Sequence, residues 1–205
     1  MKTDEILPDA HLQRCLDFHG HLCPGLAIGY RAAEAALERL NEGRAEDEEL
    51  VAILETDACG ADAVQVLTSC TFGKGNLFHR DYGKQVYTFA SRRSGKGLRI
   101  ALKAGAFQLS PRHAELIEKI RNDTATEQER AEFQDLHRGK SYEMLEIDLD
   151  DLFSIEPVTI DIPEKARIEP SILCARCGEP TMGGKLVKVG ERLLCKPCME
   201  QEQAR

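Results

Sequence analysis

The sequence has no tryptophan, and aromatic residues make up only 5% of its 205 residues. Aliphatic side chains must therefore supply most of the packing in any core. No apolar run approaches the roughly 20 residues that a membrane-spanning helix requires, so we expect no membrane association. The acidic N-terminus, residues 1–5, lacks the apolar segment of a secretory signal. These absences predict a soluble cytoplasmic protein, and there is no internal repeat or low-complexity run to suggest a fibrous or disordered one.

The chain is also poor in positive charge, with a net charge of −8 and a sequence pI near 5.3. An acidic protein repels phosphate backbones, which makes nucleic acid an unfavourable partner. The charge is uneven, because residues 172–205 hold six Lys/Arg and four Asp/Glu, a net charge of +2. A nucleic-acid contact through this tail therefore stays open as an alternative.

Composition is otherwise that of a globular protein, with 42% apolar and 30% charged residues. The length suits one core domain with a small attachment. We predict a core domain over residues 1–163 and a charged, proline-bounded linker over 164–171. Residues 172–205 then form a separate small domain.

Hydrophobic periodicity predicts both helices and strands in the core. Helices are expected over 26–40, 111–120 and 126–137, with a further turn or two over 141–147. Strands are expected over 50–54, 85–90, 98–102 and 155–162, the middle two forming a hairpin. This order predicts an α+β fold with a mixed or antiparallel sheet and flanking helices.

Four cysteines in the tail form two Cys-x-x-Cys pairs, Cys174 with Cys177 and Cys195 with Cys198, separated by 17 residues. A two-residue gap lets both sulfurs of a pair face one ion, and this spacing is typical of four-thiolate zinc sites. Residues 185–194 between the pairs resemble a hairpin, and a helix is expected from Pro197. We therefore predict a treble-clef-like zinc finger. Two disulfides or free redox thiols are the alternative.

A second group of soft ligands lies near the N-terminus, in the sequence Phe-His-Gly-His-Leu-Cys-Pro-Gly. His19, His21 and Cys23 alternate, and in an extended segment alternate side chains share a face. Pro24 suits the first position of a helix, whose dipole should lower the pKa of the Cys23 thiol. Imidazole and thiolate suit zinc, iron, nickel or copper, and zinc is our first expectation. The alternative is a polar turn with a capping cysteine and solvated histidines.

The remaining cysteines and histidines are assigned by their positions. Cys59 follows the first strand and Cys70 follows the next helix, so either could complete a site with Cys23. Cys15 is expected in the core. Three histidines are expected to be solvated on helix surfaces: His11, His113 and His137.

Three motifs occur in an order that resembles the E-subunit family of formylmethanofuran dehydrogenase. They are residues 18–25, then 56–59 with Asp62 and Gln65, then Ser-Cys-Thr-Phe-Gly-Lys-Gly-Asn at 69–76. The resemblance extends from about residue 10 to 160. The cysteine-rich tail is similar to the version of the family that carries an added zinc finger.

The resemblance implies an α+β core that forms an intertwined homodimer. It implies a metal-binding or reactive pocket lined by His19, His21, Cys23 and Cys59. It also suggests three further residues from the loop near this pocket: Cys70, Lys74 and Asn76. The family is named for one component of a molybdenum or tungsten enzyme whose chemistry belongs to pterin-bearing subunits. Subunits of such an enzyme are therefore possible partners, and a freestanding role is equally open.

Three functions compete at this point. The first is an accessory metalloprotein that holds or delivers a metal in one-carbon metabolism, with the zinc finger contacting a partner. The second is a metal-sensing regulator or adaptor that binds protein or nucleic acid through the zinc finger. The third is a thiol- or metal-dependent enzyme that acts on a small molecule at Cys23.

Overall fold

The computed structural model describes residues 10–203 of the chain, which form two compact units. The first unit ends at Lys165 and the second begins at Ala166. This boundary falls inside the segment 164–171 that the sequence suggests as a linker. Among the described residues, no helix combines the length and apolar character that crossing a membrane requires.

The first unit alternates helices and strands, and most of the predicted elements are present. Its helices are α1 Ala10–His19, α2 Pro24–Leu40, α3 Gly60–Thr68, α4 Pro111–Arg121, α5 Glu127–Glu146 and α6 Leu149–Leu152. Its strands are β1 Leu50–Leu54, β2 Leu77–His79, β3 Val86–Ser91, β4 Gly97–Leu102 and β5 Phe153–Val158.

The five strands form one sheet in the order β2-β1-β3-β4-β5. Strand β1 pairs with β2 in parallel, and every other pairing is antiparallel. The predicted β3–β4 hairpin is confirmed, with Thr88 opposite Arg99. The α+β fold with a mixed sheet is therefore confirmed. Strand β2 has only three residues, too few for periodicity to reveal it in the sequence.

Helix α5 differs from the prediction of two separate helical segments. It runs without interruption from Glu127 and begins with a capping box between Thr126 and Glu129. A glycine inside a helix costs about 1 kcal/mol relative to alanine, which made Gly139 a plausible break. Burial of Ser141 and Met144 beyond that glycine favours continuing the helix.

Helix α2 lies at the centre of the first unit and packs against both α3 and α5. Contact with α3 is close because two glycines meet there. A Cβ atom built on Gly29 would overlap the Gly60 backbone, and one built on Gly60 would overlap the hydroxyl of Tyr87. This approach brings the start of α3 next to the start of α2, where the candidate site lies.

The second unit is small and has short elements. They are β6 Ser171–Leu173, β7 Pro180–Met182, β8 Val187–Val189, β9 Arg192–Leu194 and α7 Lys196–Gln203. Strands β6 and β7 pair in antiparallel, as do β8 and β9. A turn between two strands, a hairpin and a terminal helix give the predicted treble-clef-like order.

Candidate functional site

Two histidines and one cysteine meet where α1 ends and α2 begins. Helix α1 ends at His19, and Gly20 takes a φ of +94°, a conformation that glycine adopts without strain. Cys23 then caps α2. The ligand atoms of His19, His21 and Cys23 all lie within 4.8 Å of one another. The expected extended segment is wrong, because a helix end and a turn bring the three side chains together.

A carboxylate orients the first of these histidines. Nδ1 of His19 lies 2.7 Å from Oδ2 of Asp62, and its Nε2 lies 3.6 Å from Sγ of Cys23. Gln65 donates to the other oxygen of Asp62 at 3.5 Å. The carboxylate favours a proton on Nδ1 and leaves the Nε2 lone pair facing the cluster. Metal-binding histidines have this arrangement, with a carboxylate behind the ring.

Cys23 is almost fully buried, and its Sγ accepts a hydrogen bond from the backbone N–H of Leu26 at 3.3 Å. Burial raises the pKa of its thiol to about 11, although the backbone N–H groups of Leu26 and Gly25 act in the opposite direction. The neighbouring Cys59 thiol adds to the rise. The expectation of a lowered pKa is therefore wrong for the metal-free site, because desolvation outweighs the helix start.

Cys59 lies beside Cys23 but is not one of the three clustered donors. It immediately precedes α3, and a Cβ on Gly25 would lie 3.3 Å from its Cβ. Its thiol interacts with that of Cys23 by charge and hydrogen bonding. The structure thus brings Cys59 next to the cluster, within reach as a further ligand after a side-chain adjustment.

Cys70, Lys74 and Asn76 lie elsewhere and bind the protein backbone. Cys70 follows the opposite end of α3 from Cys59, about 14 Å away by helical rise. Its thiol donates to the Leu50 carbonyl at 3.4 Å. Burial raises the pKa of Cys70 to about 11.

The other two residues of this loop have similar contacts. Asn76 is fully buried, accepts from the Thr71 N–H and donates to the Leu50 carbonyl, both at 2.9 Å. Nζ of Lys74 donates at 3.0 Å to the carbonyl of Ala45. These side chains fix the loop over 69–76, and the structure does not bring them to the His19 cluster.

Two histidines expected to be solvated instead belong to the packed α4–α5 contact. His113 is only 3% exposed, and its Nε2 lies 3.3 Å from Nδ1 of His137. Phe133 stacks on His137 at a ring distance of 4.9 Å. Burial lowers the pKa of His137, and the charges of His113 and His21 lower it further, so His137 also lies near the cluster. Helical spacing from the buried Ser141 to His137 was the available signal for this inward position.

The four tail cysteines converge in the second unit. Cys174, Cys177, Cys195 and Cys198 place their sulfurs within 4.8 Å of one another, and no disulfide joins any of the chain's eight cysteines. Gly178 takes a φ of +75° after the first pair, as a tight thiolate knuckle requires. The cluster has the ligand set of a four-thiolate metal site.

Backbone N–H groups prepare this cluster for negative charge. The N–H of Cys195 donates to Sγ of Cys174 at 3.3 Å. N–H groups of Cys177, Cys195 and Arg176 lower the pKa of Cys174 to about 6. The hydrogen bond with Cys195 and burial raise the pKa of Cys198 to about 12, because one thiolate in the cluster opposes another. A cation among the sulfurs removes that conflict.

Fold and ligand clusters together define a metal-binding protein with an α+β core and a small four-cysteine finger. A family profile described as "FmdE, Molybdenum formylmethanofuran dehydrogenase operon" matches residues 18–154. The chain therefore belongs to the FmdE family.

Two similar proteins agree with this membership. A solved structure of an FmdE-like protein of tungsten formylmethanofuran dehydrogenase, from Syntrophus aciditrophicus, is 26% identical. The match covers 98% of each chain with a TM-score of 0.59. A protein of Archaeoglobus fulgidus named "Probable S-adenosyl-L-methionine-binding protein" is 34% identical over 94% of this chain. The chain spans 55% of that relative's length.

Proposed function

We propose that this chain is a metal-binding accessory protein with two separate sites, one catalytic or metal-carrying and one structural. The core site uses His19, His21 and Cys23, with Cys59 as a further ligand. The observation that carries the proposal is the 4.8 Å clustering of three soft donors. Three protein ligands leave a coordination position open, which suits binding or transfer of a ligand more than a purely structural role.

The chemistry of the donors supports a transition metal, and zinc is the proposed ion. Two imidazoles and one thiolate are a common ligand set for zinc. When bound, the ion would supply Lewis acidity at the open position. The protein's part is to hold the donors: Asp62 orients the ring of His19, and the start of α2 fixes Cys23.

In the second unit we propose a structural zinc held by Cys174, Cys177, Cys195 and Cys198. The unit buries few apolar side chains besides Leu194 and the cysteines, so metal binding would supply most of its folding free energy. The net charge of +2 is too small to favour nucleic acid, so a protein partner is the proposed use of this finger.

Metal content of purified, tag-free protein tests the core site. His21→Ala should bind one metal ion fewer per chain than wild type, and so should Cys23→Ser, because each removes a ligand. Serine is a preferred helix N-cap, so Cys23→Ser should preserve α2. His79→Ala is the matched control, since His79 is exposed at the end of β2. Equal metal content in wild type and both ligand variants would reject the core site.

Assembly follows from the family resemblance. We propose a homodimer, and sedimentation of a 22.8 kDa monomer at micromolar concentration would contradict it. Association with subunits of a molybdenum or tungsten enzyme is the related proposal, to be tested by co-purification from cells that contain such an enzyme.

S-adenosyl-L-methionine binding is a second candidate function, favoured by the 34% identity to the archaeal relative. A ligand site in the unmatched remainder of that relative would explain its name equally well. Calorimetric titration of this chain with S-adenosyl-L-methionine separates the two explanations. Saturable heat would support binding here, and its absence would assign the ligand to the remainder.

A further inference from the structure

We propose that His113 and His137 form an additional transition-metal site between α4 and α5, distinct from the core cluster and the cysteine finger. The proposal stands independently of the core site. It begins with the 3.3 Å separation of Nε2 of His113 and Nδ1 of His137. Two nitrogens bound to a tetrahedral zinc at about 2.0–2.1 Å are about 3.3–3.4 Å apart. The pair is therefore already at the separation that one ion requires.

The two rings are held in place before any ion binds. Phe133 stacks on His137 with an interplanar angle of 28° and meets His113 edge-on. The hydroxyl of Ser141 donates to the carbonyl of His137 at 2.8 Å, which anchors the backbone beneath that ring. Fixed rings reduce the entropy that metal binding would otherwise cost.

Access and charge are compatible with a cation. His113 lines a cavity of about 380 Å³ along α4 and α5, through which a small ion can reach its ring. Asp135 and Glu143 line the same cavity, as does the cation Lys140. Nζ of Lys140 bonds to Glu143 at 2.8 Å, which offsets its repulsion of a metal ion.

The remaining ligands are expected from solvent. No third His, Cys, Asp or Glu ligand within residues 10–203 lies within 4.8 Å of both nitrogens. Two imidazoles alone bind more weakly than four thiolates, so this site should fill only after the others. Its occupancy should therefore depend on free Zn²⁺ at concentrations where the finger is already saturated.

Equilibrium dialysis against stepped free Zn²⁺ tests the site with tag-free, full-length protein. At the highest step, wild type and His79→Gln should bind one zinc more per chain than His113→Gln or His137→Gln. Cys23→Ser should lose a different, tighter zinc, so failure of the core site and failure of this pair are distinguishable. Equal zinc in wild type and both pair variants would overturn the proposal.

Because His113 is buried, its substitution can impair folding, and a measurement on wild type avoids that problem. Imidazole ¹⁵N resonances of His113 and His137 should shift as the last equivalent of Zn²⁺ binds, while that of His79 stays in place. Unshifted resonances of the pair at saturation would show an ordinary hydrogen bond between two neutral rings and would reject the site.

Discussion

Removing the carboxylate behind His19 is the most direct test of how the core site is built. Asp62 contacts Nδ1 of His19 at 2.7 Å through one carboxylate oxygen and accepts from Gln65 through the other. Asp62→Ala therefore leaves all proposed ligands in place and removes only the group that orients one of them. Metal affinity should fall, because His19 loses both its fixed tautomer and part of its basicity.

The size of the loss follows from the exposure of the carboxylate. Substitutions behind a metal-binding histidine typically cost about 10–100-fold in affinity. The Asp62 side chain is 35% exposed, whereas that of His19 is 11% exposed. Water can therefore replace part of the lost hydrogen bond, and we expect about tenfold weaker binding, or about 1.4 kcal/mol.

Competition with a chromogenic chelator measures this change for Zn²⁺ or Co²⁺ at the core site, after the finger has been filled. Asp57→Ala is the matched control, because Asp57 is exposed on the loop just before α3. It should leave the affinity unchanged. An Asp62→Ala affinity within a factor of two of wild type would show that the carboxylate does not support a metal ligand.

Three further predictions concern the finger, the helix contact and pH. Cys174→Ser should release the finger's zinc and expose residues 171–203 to limited proteolysis while the core resists, because that ion supplies about 10–16 kcal/mol in comparable sites. Gly29→Ala should lower the free energy of unfolding by at least about 2 kcal/mol in denaturant titration, because its methyl group overlaps the α3 backbone, whereas Gly43→Ala should be tolerated in open space. Metal-free protein should lose stability as pH rises from 9 towards 11, because the folded-state pKa of Cys70 is raised from 9.0 to about 11 and the unfolded chain ionises first. The loss should be on the order of 2 kcal/mol and smaller in Cys70→Ser.

Each of these results has a clear opposite. A finger that resists protease in Cys174→Ser would contradict metal-dependent folding. Equal stability of Gly29→Ala and Gly43→Ala would show that α2 and α3 can separate at little cost. An identical alkaline stability profile for Cys70→Ser and wild type would assign the loss to other groups, such as Tyr87, whose pKa burial also raises.

Local patterns were sufficient for much of the fold. The β3–β4 hairpin, the strand at 50–54 and the proline-started α2 all depend on periodicity and turn chemistry within a few residues. Strand β2 and the full length of α5 did not follow from such patterns. A three-residue strand exists only because β1 pairs with it, and Gly139 is tolerated only because Met144 beyond it is buried.

The sequence by itself determined the ligand types and their grouping: alternating His19, His21 and Cys23, and two Cys-x-x-Cys pairs whose short gaps force the sulfurs together. Tertiary structure decided which distant groups join them, because such contacts depend on helix packing and not on spacing. Close approach of α2 and α3 at their glycines brings Asp62 to His19 and Cys59 to Cys23, and leaves Cys70 at the far end of α3. Burial, which no local pattern measures, likewise raises the pKa of Cys23 where the helix start alone would lower it.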